Sequence, residues 1–217
     1  MEVTSYKSLV FDCDGVILDS NKVKTDAFYK AALSYGDDIA KRLVQYHVEN
    51  GGVSRYKKFK FLLEHLVPTE GASGPDELEL LHIFSMEVRA GLENCVVARK
   101  IRELREKTVN ANWLIVSGSD QEELNEIFRE KKLDAYFDGG IYGSPDEKTD
   151  ILIKALKKGI IHEPALFVGD SKLDYEAAVQ VDLDFLFVSN WTEVSDWASW
   201  TDKNGIETIS EIADLLD

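Results

Sequence analysis

The sequence predicts an α/β protein, a doubly wound parallel sheet interrupted early by an all-helical insertion. Three observations predict it. Short continuous apolar runs, "SLVFD" from Ser8, "NWLIVS" from Asn112 and "ALFVGD" from Ala165, read as strands buried on both faces. From about residue 96 onward, helical periodicity alternates with such runs. Between the first two runs lie roughly seventy residues with helical patterns and no strand, too long a detour for a loop.

Taken in order, "NKVKTDAFYKAALSYG" reads as a helix running into Gly36, and "DDIAKRLVQYHVENGG" as one stopping at Gly51. "SRYKKFKFLLEHL" reads as a helix capped by Ser54. "GASGPDELELLHIFSMEVRAG" supplies a flexible loop, Asp76 as a cap and a last insertion helix. The insertion is therefore assigned to residues 19–91, and the sheet domain to residues 1–18 and 92–217. In the latter, "VVARKIRELREK" repeats apolar positions at Val97, Ile101 and Leu104, and "QEELNEIFREKK" at Leu124, Ile127 and Phe128. "KTDILIKALKKG" ends on Gly159, a helix stop. "YFDGGIY" and "DFLFVS" are two further strand candidates. The three tryptophans of "NWTEVSDWASW" read as packing of a C-terminal segment.

The chain has 217 residues, 44% of them apolar, enough for one good core plus a smaller insertion. Its formal charge is −15, which repels phosphate backbones and anionic membranes, so neither nucleic acid nor a membrane is an expected partner. No window approaches the ~20 apolar residues of a spanning helix. The N-terminal stretch has no basic segment leading into a long apolar run, so no secretory signal is expected. The two cysteines, Cys13 and Cys95, give no disulfide framework. A cytoplasmic setting is the expectation.

The first apolar run ends on "FDCDG". Residues two apart in a strand share a face, so Asp12 and Asp14 project together, at the strand end where open α/β sheets bind ligands. Two adjacent carboxylates repel, and burying them is costly unless a divalent cation or a lysine is near. The alternative is a turn with capping aspartates, since Asp-Gly is a common turn signal. Three other stretches bear on the choice. "IVSGSD" puts Ser117 at a strand-to-helix turn, with Gly118 and Ser119 offering backbone N–H groups to an anion. "SPDEKTD" starts a helix on Lys148, where the helix dipole disfavours a cation unless an acid or anion partners it. "LFVGDSKLD" ends a strand on Asp170, a candidate metal ligand, with Asp174 four residues later. All lie at strand ends or helix starts on one side of a parallel sheet.

With these residues in place, the sequence resembles the haloacid dehalogenase superfamily of phosphotransferases. "FDCDGV" matches its DxDG motif, Ser117 its second motif, Lys148 its third in the setting "GSPDEK", and "GDSKLD" its GDxxxD. The insertion lies where that superfamily carries a helical cap on a Rossmann-like core, as in its phosphoglycolate phosphatase and β-phosphoglucomutase group. The resemblance implies Asp12 as nucleophile, attacking phosphorus to form an acyl phosphate that water then cleaves. It implies Asp14 as general acid and base, which requires one member of the pair to titrate high. It implies Mg²⁺, held by the Asp12 carboxylate, the Asp14 backbone carbonyl and Asp170. Asp174 would either bind through water or hold Lys148. Ser117 and Gly118 would hold phosphoryl oxygens, and Lys148 would neutralise nucleophile and phosphoryl charge. Members that cleave carbon–halogen bonds or phosphonates lack the second acid, so Asp14 implies a small phosphate ester as partner. Hexose, glycolate and nucleotide phosphates all fit, and a small sugar phosphate is the expectation.

"GGVSRYKKF" resembles a cap segment of β-phosphoglucomutases whose arginine meets a substrate phosphate, which makes Arg55 the candidate cap residue. Arg55, Lys57 and Lys58 form either an anion grip or an ordinary exposed basic face. Mutases of that kind tend to carry an acid where this chain has Gly169, and relatives often have a histidine at the place of Lys24. A hydrolase is therefore the expectation, a phosphosugar mutase the alternative, and a non-catalytic scaffold a third reading.

Overall fold

In the computed structural model, which describes residues 2–217 apart from the Thr69 side chain, all five apolar runs form strands. They are β1 (Ser8–Phe11), β2 (Asn112–Asp120), β3 (Gly140–Ser144), β4 (Ala165–Gly169) and β5 (Asp184–Val188). A two-residue β6 (Thr208–Ile209) has no apolar run to announce it. All pair in parallel in the order β3-β2-β1-β4-β5-β6. The chain winds from β1 towards β3, then returns across β1 to β4. The C-terminal end of β1 is thus the switch point where such sheets open a crevice.

Between β1 and β2 run α1 (Asn21–Ala32), α2 (Asp37–Glu49), α3 (Arg55–Phe61), α4 (Val67–Glu70) and α5 (Glu77–Leu92). Phe28, Phe59 and Phe84 from three of these helices form their aromatic core, with the Phe28 and Phe84 rings 4.3 Å apart. The remaining helices are α6 (Ile101–Lys107), α7 (Gln121–Glu130), α8 (Lys148–Lys157), α9 (Lys172–Gln180) and α10 (Trp197–Asn204). Alternation along the central strands divides the core. Val10, Leu114 and Phe167 pack on α8 and α9, whereas Leu9, Phe11 and Ile115 share the core that includes α6 and α7. This is the doubly wound α/β architecture with a helical insertion.

Local readings hold with exceptions. Asp76 caps α5 in a reciprocal box with Glu79. Gly159 follows α8 at φ +66°. Ser54 occupies the cap position of α3, but its hydroxyl bonds no helix N–H. The helix expected from Ser54 through Leu66 changes pitch into a π-helical turn at Leu62–Leu66. The helix expected from Val97 starts only at Ile101, because Lys100 is left-handed (φ +55°) and Val97 bridges Leu18 instead. That bridge sits in a clasp joining the two ends of the insertion: Asp19 N–H donates to Val96 O, and Ala98 N–H to Ile17 O, each at 2.9 Å. Trp197 stacks on Phe187 and Trp200 meets Tyr175 edge-on, the packing role expected. Among the described residues no helix is long and apolar enough to cross a membrane.

Candidate active site

Asp12 follows β1 directly, and its N–H donates to Val168 O (2.9 Å), so it prolongs the strand beside the end of β4. Asp170 ends β4's run two residues beyond Val168, which pairs with Phe11. Neighbouring parallel strands thereby deliver two acids to one place. Gly15 then turns the chain at φ +77°, and a Cβ there would strike Asp170 Oδ2. Lys148, the first residue of α8, reaches in from the far side of the sheet edge.

These residues form one buried cluster. Lys148 Nζ lies 2.9 Å from Asp12 Oδ2 and 2.5 Å from Asp174 Oδ1. Asp174 also accepts from the Ser171 hydroxyl and N–H. Asp12, Asp170 and Asp174 bring one carboxylate oxygen each within 4.8 Å of one another. Lys148 pairs with two of the three acids, and Asp170 has the Asn21 amide instead. Lys148 is held well above its ordinary range by Asp12 and Asp174 despite burial. Asp12 has only part of that ammonium. Burial therefore outweighs it and pushes Asp12 up to about 7, and burial with the Asp12 and Asp174 charges raises Asp170 too. An all-oxygen set short of positive charge fits a hard divalent cation such as Mg²⁺.

Asp14 belongs to a second cluster. Its Oδ1 accepts from Ser20 Oγ (2.5 Å), and its Oδ2 from Lys24 Nζ (2.7 Å) and Ser119 Oγ (2.6 Å). Lys24 Nζ also donates to Ser119 Oγ. Burial opposes ionisation of Asp14, but the Lys24 charge and these three hydrogen bonds outweigh it and hold the carboxyl well below its usual range. The expected split of the aspartate pair is therefore present with its members exchanged: Asp12 titrates high, and Asp14 stands ionised against Lys24. Asp14's carboxylate also lies outside the oxygen cluster of Asp12, Asp170 and Asp174.

Both clusters border a cavity of about 60 Å³ between sheet and insertion, lined by Asp12, Asp14, Lys24, Gly118, Ser119 and Asp170 among others. Ser117 is not at a turn, because β2 continues to Asp120 with a register shift after Val116. It is fully buried off the cavity wall, its Oγ accepting from Ser119 N–H (3.1 Å). Asp120 caps α7 as its position suggests.

The basic segment of the insertion divides three ways. Arg55 does line the cavity, but its guanidinium pairs with Glu123 (2.5 Å) and lies over the Phe84 ring. Lys57 pairs outside with Glu147 (2.5 Å), and Lys58 is buried on the cavity wall. Neither an exposed face nor a single grip describes them. Residues 55–57 instead tie α3 to the sheet domain, since Tyr56 donates to Asp120 (2.7 Å).

Sequence reasoning missed several contributors. Asn21 donates to Asp170 Oδ2 (2.7 Å) and to Trp191 O (2.9 Å). Thr192 Oγ1 donates to Asp170 O (2.6 Å), and Glu193 borders the cavity. The loop at residues 191–194 carries no strand-end motif. Its only signal, the tryptophan-rich composition, reads as packing.

Sheet order, insertion and acid cluster together define the class: an α/β protein with a helical cap over carboxylates at the strand ends. Residues 6–182 match the haloacid dehalogenase-like hydrolases, and the chain belongs to that family. It is 23% identical over 194 residues to a phosphorylated carbohydrates phosphatase of Thermotoga maritima, covering 83% of this chain and 84% of that one. Among solved structures it resembles a haloacid dehalogenase-like hydrolase of Streptococcus pneumoniae (20% identity, TM-score 0.71, covering 99% and 98% of the two chains). It also resembles a β-phosphoglucomutase of Clostridium difficile (17% identity, TM-score 0.74, covering 97% and 93%).

Proposed function

We propose that the chain is a Mg²⁺-dependent phosphatase that cleaves a small phosphorylated sugar through a phospho-aspartate on Asp12. The observation that carries this reading is the pairing of Asp12 with Lys148 at 2.9 Å, inside a cluster of three buried acids, across one cavity from Asp14. Asp12, Asp170 and the Asp14 carbonyl would hold Mg²⁺, with Asp174 beside them holding Lys148; bound there, the ion would supply positive charge to the phosphoryl oxygens and to the acids around it. With that charge in place, Asp12 would stand in its nucleophilic, ionised form.

Asp12 attacks phosphorus as the ester oxygen leaves, and that oxygen takes its proton from Asp14. Water then gives a proton to Asp14 and attacks the phosphoryl group, and the Asp12 bond to phosphorus breaks. Asp14 as found here is the carboxylate of the second step. For the first it must gain a proton, which requires Lys24, a residue of the cap, to loosen its hold. Lys148 neutralises Asp12 and the transferring group. Gly118, on the cavity wall, offers its N–H to a phosphoryl oxygen, and Ser117 behind it holds the segment by accepting from Ser119 N–H.

Two observations support hydrolysis over mutase chemistry. A Cβ at Gly169 would strike Asp174, so the position before Asp170 has no room for an acid. The Thermotoga maritima relative is named as a phosphatase of phosphorylated carbohydrates, which supports both hydrolysis and a phosphorylated sugar as substrate. With p-nitrophenyl phosphate, nitrophenol release should require Mg²⁺, stop with chelator and fall by about a thousandfold or more in Asp12→Asn. A hexose 1-phosphate should give free phosphate. Appearance of the 6-phosphate isomer instead would favour a mutase, and retained turnover in Asp12→Asn would remove the mechanism.

A further inference from the structure

We infer that Lys58 and His47 form an anion subsite on the cap side of the cavity, so that the substrate is a phosphate monoester carrying a second anionic group, a carboxylate or another phosphate. The inference rests on the phosphatase reading and names the part of the substrate that reading leaves open.

Lys58 is 1% exposed, yet among the described residues no carboxylate lies within ion-pair distance of its ammonium. Its partner is a histidine: Nζ stands 2.6 Å from His47 Nδ1 and 3.5 Å from His47 O. Both side chains border the same cavity as Asp12 and Asp14. A buried ammonium without a counter-charge is costly, so the amine sheds its proton unless an anion arrives to hold it. Burial first, and then the nearby Lys24 ammonium, push Lys58 down to about 7. Glu193, the carboxylate that acts on it most, is engaged by Thr25 Oγ1 at 2.8 Å.

The histidine supplies the second observation. His47 is 8% exposed, and burial followed by the Lys58 charge holds it neutral. When the Lys58 ammonium donates to Nδ1, the ring proton must sit on Nε2. That Nε2 has no hydrogen-bond partner, and Glu193 Oε2, at 3.8 Å, is too far to be one. Just behind the cavity wall thus stand an amine and an unmatched N–H donor, with the Glu193 carboxylate bordering the same space. Phe28 packs against both, its ring centroid 5.4 Å from Nζ and 4.5 Å from the imidazole centroid. Two neighbouring donors on this side of the cavity suit an oxyanion, and a neutral hydroxyl supplies no charge to match Lys58.

The test compares paired esters that differ in the second charge: 3-phosphoglycerate against glycerol 3-phosphate, and fructose 1,6-bisphosphate against fructose 6-phosphate. The wild-type enzyme should favour the doubly anionic member of at least one pair by about tenfold or more in kcat/KM. The pair that responds distinguishes a carboxylate from a phosphate. In Lys58→Met that ratio should fall to within about threefold, and His47→Gln should reduce it in part. Binding of phosphonoacetate against methylphosphonate, by calorimetry with Mg²⁺ present, reads the same preference without turnover and should lose it in Lys58→Met. Lys58→Met buries no charge, so its thermal unfolding should match or exceed wild type and report an intact fold. No preference in wild type in either assay, or an undiminished preference in Lys58→Met, would overturn the subsite. If wild type cleaves nitrophenyl phosphate but shows no preference, the subsite alone fails. If it cleaves no ester yet prefers phosphonoacetate, the phosphatase reading fails and the subsite stands.

Discussion

Asp12 is a carboxylate that the fold holds nearer neutral pH than an acid of its kind. It sits at about 7 in the folded protein, against about 4 in an unfolded chain. Its ionisation therefore opposes folding: its contribution is most favourable below pH 4 and is lost as the pH climbs through 7. Without metal, Asp12→Asn should gain on wild type as pH rises from 5 to 8, by on the order of a few kcal/mol, in urea unfolding with chelator present. Lys58, lowered to about 7, has the opposite slope but is common to both proteins and cancels in the difference. A gap that narrows with rising pH would contradict the burial argument. Asp14 makes a separate prediction. Lys24→Met leaves a buried carboxylate with only Ser20 and Ser119, which should cost about 3 kcal/mol in thermal or chemical unfolding. These two acids also mark how far the sequence could be read. Asp12, Asp170 and Lys148 are legible because each closes a strand or opens a helix, and a parallel sheet gathers such places. The partners that decide how Asp14 titrates come from the first cap helix and the strand β2. Their meeting depends on how the insertion folds back, which no local spacing records.

The contact between α3 and the sheet domain is three consecutive residues on three separate acids, and the links differ in worth. Arg55 to Glu123 is nearly buried, with side chains 5% and 12% exposed, whereas Lys57 to Glu147 is more than half exposed. Arg55→Met should cost about 3 kcal/mol, and Lys57→Ala under about 1 kcal/mol, in the same unfolding assay. Equal costs would mean that burial does not set the strength of these ties. The segment at residues 51–53 approaches the sheet still more closely. A Cβ at Gly118 would strike Gly52 O, a backbone atom that can yield only by moving the cap segment. Gly118→Ala should therefore leave the fold intact while lowering kcat/KM for nitrophenyl phosphate by about tenfold or more. Unchanged kinetics would show that the segment need not dock there. At this scale the strands were legible and the helix ends less so. A run of apolar residues states a buried strand directly, but nothing in "ARKIREL" shows that Lys100 turns left-handed and delays its helix.

Over the whole molecule the charge of −15 acts on every approaching anion. An acidic surface repels a phosphate ester, and salt screens that repulsion over about 10 Å at 0.1 M. For an ester with one phosphate, kcat/KM should rise between low and physiological ionic strength at saturating Mg²⁺. A steep fall would instead indicate that the local field at Lys58, Lys148 and Lys24 dominates encounter. The acidic composition was plain from the outset, whereas the placement of Lys24 and Lys58 on one cavity, with Lys148 behind Asp12, needed the fold. The clasp at Ile17, Asp19, Val96 and Ala98 has a consequence of a different order. The seventy or so residues it encloses leave and re-enter the sheet domain at one spot, so their removal would open almost no gap. Such an insertion is a replaceable module: another helical unit could be spliced there, changing what the catalyst recognises while the strands beneath keep their register.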